Sequence, residues 1–108
     1  MADAAPQLKI IIRRFRMELG KMGIRVDKVM LFGSQVSGAA HDGSDIDLIV
    51  ISRDFASYSQ RERLEILGVA AARILEPVQA NGFTPSEIES QQLIPFWDQI
   101  LREQAVAV

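Results

Sequence analysis

The stretch that most restricts this chain is Ser44-Asp45-Ile46-Asp47-Leu48-Ile49-Val50-Ile51, an apolar run that opens with two acids one residue apart. Side chains alternate along a strand with a period of two, so Asp45 and Asp47 project from one face. The unbroken apolar run after them predicts a strand covered on both faces, at the centre of a sheet. Two carboxylates held side by side repel each other, and a hard cation such as Mg²⁺ is the usual means of holding them there. Upstream, Val26 to Phe32 reads as another strand, running into Gly33-Ser34. That turn offers backbone N–H groups and a hydroxyl, both suited to an anion. Metal plus phosphate is the simplest joint reading.

The elements around this pair follow from spacing. Leu8, Ile11, Ile12, Phe15, Leu19 and Met22 recur at helical intervals after Pro6, which suits a first helical turn, and Gly20 and Gly23 end the run. Its other side carries Lys9, Arg13 and Arg16, with Arg14 and Lys21 nearby, a basic face that reads first as solvated helix surface and second as a site for phosphate or an acidic partner. Between the two strands, Ser34 to Ser37 suggests a short helical turn closed by Gly38, and Asp42-Gly43 a loop turn. Arg53 to Ser59 reads as a polar connection with Phe55 and Tyr58 folded back. A second long helix spans Gln60 to about Leu75, with Leu64, Leu67, Ala71 and Ile74 on its inner side and an Arg61–Glu65 pair outside. Pro77 precedes a third strand, Val78 to Phe83. Thr84-Pro85-Ser86-Glu87 is a capping box with proline in the first helical position. Pro95 interrupts the helix that this box starts. A last helical segment carries Phe96, Trp97, Ile100 and Leu101, and Ala105 to Val108 suits an edge strand.

Composition narrows the chemistry. A chain of 108 residues reads as one domain, 1–108, large enough for a real core, and 48% apolar with 24% charged residues is ordinary globular usage. No apolar run reaches the roughly 18 residues of a membrane span, and the start lacks the shape of a signal peptide, so a cytoplasmic protein without a membrane is expected. With no cysteine and one histidine, His41, thiolate and poly-histidine metal sites are excluded and a metal must take oxygen ligands. A net charge of −2 gives no bulk attraction for nucleic acid, although a local basic patch stays open.

A glycine after a strand is ordinarily just a turn, and paired acids in isolation are ordinarily solvated. Their combination at the exposed end of a buried strand is different, because a fold tolerates two like charges there only for a purpose. A phosphate-binding loop of the Gly-Lys-Ser/Thr kind is absent, and the glycine spacing does not fit a dinucleotide fingerprint. The order strand, Gly33-Ser34, Gly38, then Ser44-Asp45-Ile46-Asp47-Leu48 resembles the DNA polymerase beta-type nucleotidyltransferase superfamily, in its small minimal nucleotidyltransferase branch. Phe83-Thr84-Pro85-Ser86-Glu87 and Pro95-Phe96-Trp97-Asp98-Gln99-Ile100-Leu101-Arg102-Glu103 extend the likeness over nearly the whole chain.

The resemblance implies an α/β (α+β) fold, a small mixed sheet of three or four strands flanked by helices. It implies a Mg²⁺-dependent transfer of a nucleoside monophosphate, AMP from ATP in the first instance, to a hydroxyl acceptor. Gly33, Ser34, Gly38 and Ser44 would bind the nucleotide, and Asp45 and Asp47 would each ligate metal in a two-metal site. The family's third carboxylate belongs on the next strand, where this chain has no acid. Glu76, just before that strand, is the nearest candidate, and Gln79 stands neutral within it. Ser37 stands where relatives often carry a basic residue. The alternative role is an antitoxin-like binding subunit that pairs with a helical HEPN-type protein, or self-associates, since 108 residues leave no room for an appended acceptor-binding domain.

Overall fold

A computed structural model of the chain describes residues 6–33, 45–90 and 95–108. Helix α1 (Pro6–Lys21) leads to strand β1 (Lys28–Phe32), then β2 (Ile46–Ile51), a 3₁₀ turn (Arg53–Ser57), helix α2 (Gln60–Ile74) and strand β3 (Val78–Phe83). Short helices α3 (Pro85–Glu89) and α4 (Pro95–Gln99) come next, with α4 passing into a π-helical turn (Ile100–Gln104) and then strand β4 (Val106–Ala107). The expected short turn at Ser34 to Ser37 lies outside the described residues.

The four strands form one mixed sheet in the order β3-β2-β1-β4, so β2 is central, as its continuous apolar run requires. β1 pairs antiparallel with β2 and β4, whereas β3 pairs parallel with β2, with α2 as the crossover that a parallel pair needs. Alternation divides the side chains cleanly. Val29, Leu31, Ile46, Leu48 and Val50 face α1 and α2, whose Leu8, Ile12, Phe15, Leu19, Leu67 and Ile74 complete the larger core. Ile49, Ile51 and Phe83 face the other way, where Ile100 and Trp97 of the C-terminal helical segment cover them. Both faces of β2 are therefore dry except at its first turn of alternation, where Asp47 stands.

The connection after β2 is more ordered than a polar loop. Ser52, fully buried, donates its hydroxyl to the Arg25 carbonyl at 2.6 Å and accepts from the Asp54 amide at 3.1 Å, capping the 3₁₀ turn that drives Phe55 into the core. A Cβ on Gly82 would lie 2.7 Å from the Phe55 ring, so this strand position must be glycine for Phe55 to seat. The capping box at Thr84 forms as expected, and Ser59 and Glu62 form a second one at the start of α2.

One expectation for α2 is corrected. Leu64 is 49% exposed, and the inward position beside it belongs to Arg63, which is 4% exposed. Arg63 donates Nε to the carbonyls of Phe55 and Tyr58, and Nη1 to that of Gly82, each at 3.1 Å. It also grips Glu87 bidentately, at 2.8 and 3.1 Å. A fully partnered guanidinium can occupy an interior position that apolar periodicity assigns to leucine. Among the described residues no helix is long and apolar enough to cross a membrane.

Candidate active site

The register of the sheet assembles the site. Asp47 enters β2 directly opposite Phe32, the last residue of β1, and directly beside Gln79 of β3. All three point to the face covered by the C-terminal helical segment. Asp45 lies one residue before β2 and is exposed, next to the point where the Ile46 amide donates to the Pro77 carbonyl at 2.8 Å. The strand thus starts under an external hydrogen bond, and the two acids stand at its mouth.

Gly33 closes the corner. It follows β1 with a φ of +78°, a conformation that L side chains rarely adopt. A Cβ built there would lie 3.1 Å from the Asp47 Cγ and closer still to Oδ2. The Gly33 backbone therefore packs straight against the Asp47 carboxylate, an approach only glycine permits. Burial pushes the Asp47 carboxyl above the ordinary aspartate range, and the charge of Asp45 pushes it further the same way. Repulsion and desolvation both favour a bound cation, and the donors are hard carboxylate oxygens, so the pair fits a magnesium-like ion.

The remaining expected residues divide. Ser34, Gly38 and Ser44, with Ser37 and His41, lie outside the described residues. Glu76 is described, and its side chain is turned to α1: its carboxylate lies 3.7 Å from Arg14 Nη1, while Arg14 Nη2 donates to the Ile74 carbonyl at 3.1 Å. Arg14 and Glu76 clamp α1 to the end of α2, and Glu76 is not brought together with the acidic pair. Among the described residues no group of three or more acids and histidines forms a metal cluster. The position in register with Asp47 is filled by the neutral amide of Gln79, which can offer a carbonyl oxygen without charge.

The sequence left the aromatic side of this corner unassigned. Phe32 flanks Asp47, and the Phe32 ring meets Trp97 edge to face, with centroids 5.8 Å apart. Trp97 also meets Phe83 at 5.5 Å, so its indole lies across the sheet within the cluster around Ile49 and Ile51. The signal was present in the alternation, which assigns Phe32, Ile49 and Phe83 to the Asp47 face. The pairing that brings Trp97 over them is a long-range contact that no local pattern encodes.

Residues 11–101 match the family described as the nucleotidyltransferase domain. Among solved structures, the chain is similar to one from a crystal structure of a toxin–antitoxin with AMP-PNP, with a TM-score of 0.58 and 22% identity over 86% of this chain and 68% of that one. It is also similar to a protein from Sulfolobus solfataricus provisionally assigned as a nucleotidyltransferase, with a TM-score of 0.55 and 17% identity over 99% of this chain and 89% of that one. At these identities the likeness is one of fold. No curated protein sequence matches.

Proposed function

We propose that this chain, which belongs to the nucleotidyltransferase-domain family, binds a nucleoside triphosphate at the Gly33–Asp45–Asp47 corner and transfers its nucleoside monophosphate to a hydroxyl group of a partner protein. ATP is the first candidate donor. The observation that carries the reading is the packing of the Asp47 carboxylate against the Gly33 backbone beside Asp45. Such an arrangement destabilises the empty site and is relieved by a cation, which is the pattern expected where chemistry has been favoured over stability.

Asp45 and Asp47 would hold magnesium, which when bound supplies positive charge to offset the phosphates and polarise the α-phosphorus. Gly33 fixes the direction of the Asp47 carboxylate. Phe32, braced by Trp97, flanks Asp47 in the ladder and gives that side of the carboxylate an apolar neighbour. Ser34, Gly38 and Ser44 are assigned to the phosphates. In the transfer, the acceptor oxygen forms a bond to the α-phosphorus as the bond to the bridging β-phosphate oxygen breaks. Pyrophosphate leaves and the hydroxyl proton passes to water.

The test is incorporation of label from α-labelled ATP into an acceptor protein with Mg²⁺ present. Asp47→Asn keeps the shape of the site and is expected to lower incorporation by about 100-fold or more, on the scale of losing a positioned charge in a catalytic centre. Equal labelling by the variant refutes the assignment.

A second reading is favoured by the neutral Gln79 beside Asp47. A site with two acids suits nucleotide binding better than rapid turnover, and the chain would then act chiefly as an antitoxin-like subunit that pairs with a helical HEPN-type protein. Likeness of fold to a chain from a toxin–antitoxin crystal structure supports this reading. Light scattering of the purified protein, alone and with a candidate helical partner, separates the two. A monomer that forms no complex counts against the pairing role.

A further inference from the structure

The aromatic side of the corner continues outward. Beyond Phe32 and Trp97 comes Phe96, whose ring meets Trp97 edge to face with centroids 5.1 Å apart and an interplanar angle of 74°. Phe96 is 60% exposed. A single exposed apolar side chain needs no explanation. Phe96 differs because it is the solvent end of a connected row of three rings, and the inner end of that row, Phe32, stands beside Asp47 in the ladder. Pro95 opens α4 just before it, and Trp97, wedged against Phe32 and Phe83, fixes the helix on which Phe96 sits.

The chemistry of the ligand supplies what such a row lacks. In a nucleoside triphosphate anchored by its phosphates at paired acids, the base hangs one ribose away from the α-phosphate. That length lets the base extend outward along the row of rings that starts at Phe32, and a base presents a flat π-face. On this flank the surface is an aromatic ring open to solvent.

We propose that Phe96, positioned by Trp97, is the stacking platform for the nucleobase. The proposal rests on the nucleotide reading above and deepens it. Stacking on an aromatic ring adds binding without reading hydrogen-bond patterns. The site therefore senses that a base is present more strongly than which base it is, and holds purine nucleotides more tightly than pyrimidine ones because the larger rings stack better.

Trp97 is the chain's sole tryptophan and touches the platform, so its emission reports occupancy directly. The experiment titrates AMP-PNP and inorganic tripolyphosphate, each with Mg²⁺, into the wild-type chain, Phe96→Ala and Phe96→Tyr, with calorimetry alongside. Wild type is expected to bind AMP-PNP about tenfold more tightly than tripolyphosphate, within the range for one base on one ring. Phe96→Ala should lose that advantage while binding tripolyphosphate unchanged, and Phe96→Tyr should keep it. An undiminished advantage in Phe96→Ala, or none in wild type, overturns the platform and leaves the nucleotide reading standing. Failure of both ligands to bind the wild-type chain overturns both.

Discussion

Replacing Gly33 by alanine tests the geometry of the site through stability, independently of any ligand. Alanine at a φ of +78° sacrifices the conformational freedom that only glycine has there, at a cost of about 1–2 kcal/mol. The new methyl would also collide with the Asp47 carboxylate. Turning that side chain off its rotamer adds about 0.5–1.5 kcal/mol. Together these give roughly 2–3 kcal/mol, which lowers Tm by about 10 °C or more for a domain of this size. Urea unfolding followed by Trp97 emission measures the loss. The two contributions separate in a double-mutant cycle, since Asp47→Ala removes the collision and leaves the backbone cost. Gly33→Ala should then be about 1 kcal/mol less harmful in the Asp47→Ala background than in wild type. Full additivity, or a Gly33→Ala variant as stable as wild type, would refute the claim that the Gly33 backbone packs against Asp47.

Three further outcomes rest on particular contacts. Burial, and then Asp45, raise the Asp47 carboxyl in the folded chain, so folding disfavours its charged form. Asp47→Asn should match wild type in acid, below the unfolded aspartate range, and become the more stable protein as pH rises through the raised folded value; a wild type more stable than Asp47→Asn at neutral pH contradicts this. Arg63→Met removes a hydrogen bond from each of three carbonyls and leaves the half-buried Glu87 carboxylate without its cation, and should cost about 3 kcal/mol in urea unfolding, the lower end for breaking a buried pair. Hydrogen bonds from Arg63 hold the Glu87 carboxyl below the ordinary range, so the stability from this pair is present above the unfolded glutamate value and lost as pH falls through the folded one. That acid loss should be missing in Glu87→Gln. Glu76→Gln breaks only the partly exposed contact with Arg14 and should change stability by less than about 1 kcal/mol and labelling by less than about twofold. A large fall in labelling would restore Glu76 to the ligand set.

The sequence reached the acidic pair because two local rules converge there. Alternation puts Asp45 and Asp47 on one side, and an apolar continuation places them at the end of a buried strand. The same alternation, applied to Phe32 and Phe83, carried the aromatic face implicitly. Its contact with Trp97 is not legible there, because docking of the C-terminal helix on that face is a tertiary event. Arg63 takes the inward position that the apolar pattern gives Leu64 for a related reason. Apolar periodicity treats arginine as a surface residue, and the five acceptor oxygens that make Arg63 an interior one come from the 3₁₀ turn and its cap Tyr58, the end of β3 and α3. Glu76 is near the third strand in sequence, but a residue before a strand is not bound by that strand's alternation, and Arg14 on α1 draws its carboxylate to the helical side. Thr84 and Glu87 were legible in full, since a capping box is local and needs no other element.

The central claim is that Asp45 and Asp47 together hold a cation that in turn holds a nucleotide. It is tested most directly by calorimetric titration of AMP-PNP into the wild-type chain with Mg²⁺, into the same chain with EDTA, and into Asp45→Asn/Asp47→Asn with Mg²⁺. Binding in the first arm alone, with affinity at least about 100-fold weaker in the other two, is the predicted result. Equal binding in all three arms would contradict the account, because the nucleotide would then be held without the pair on which the site is built.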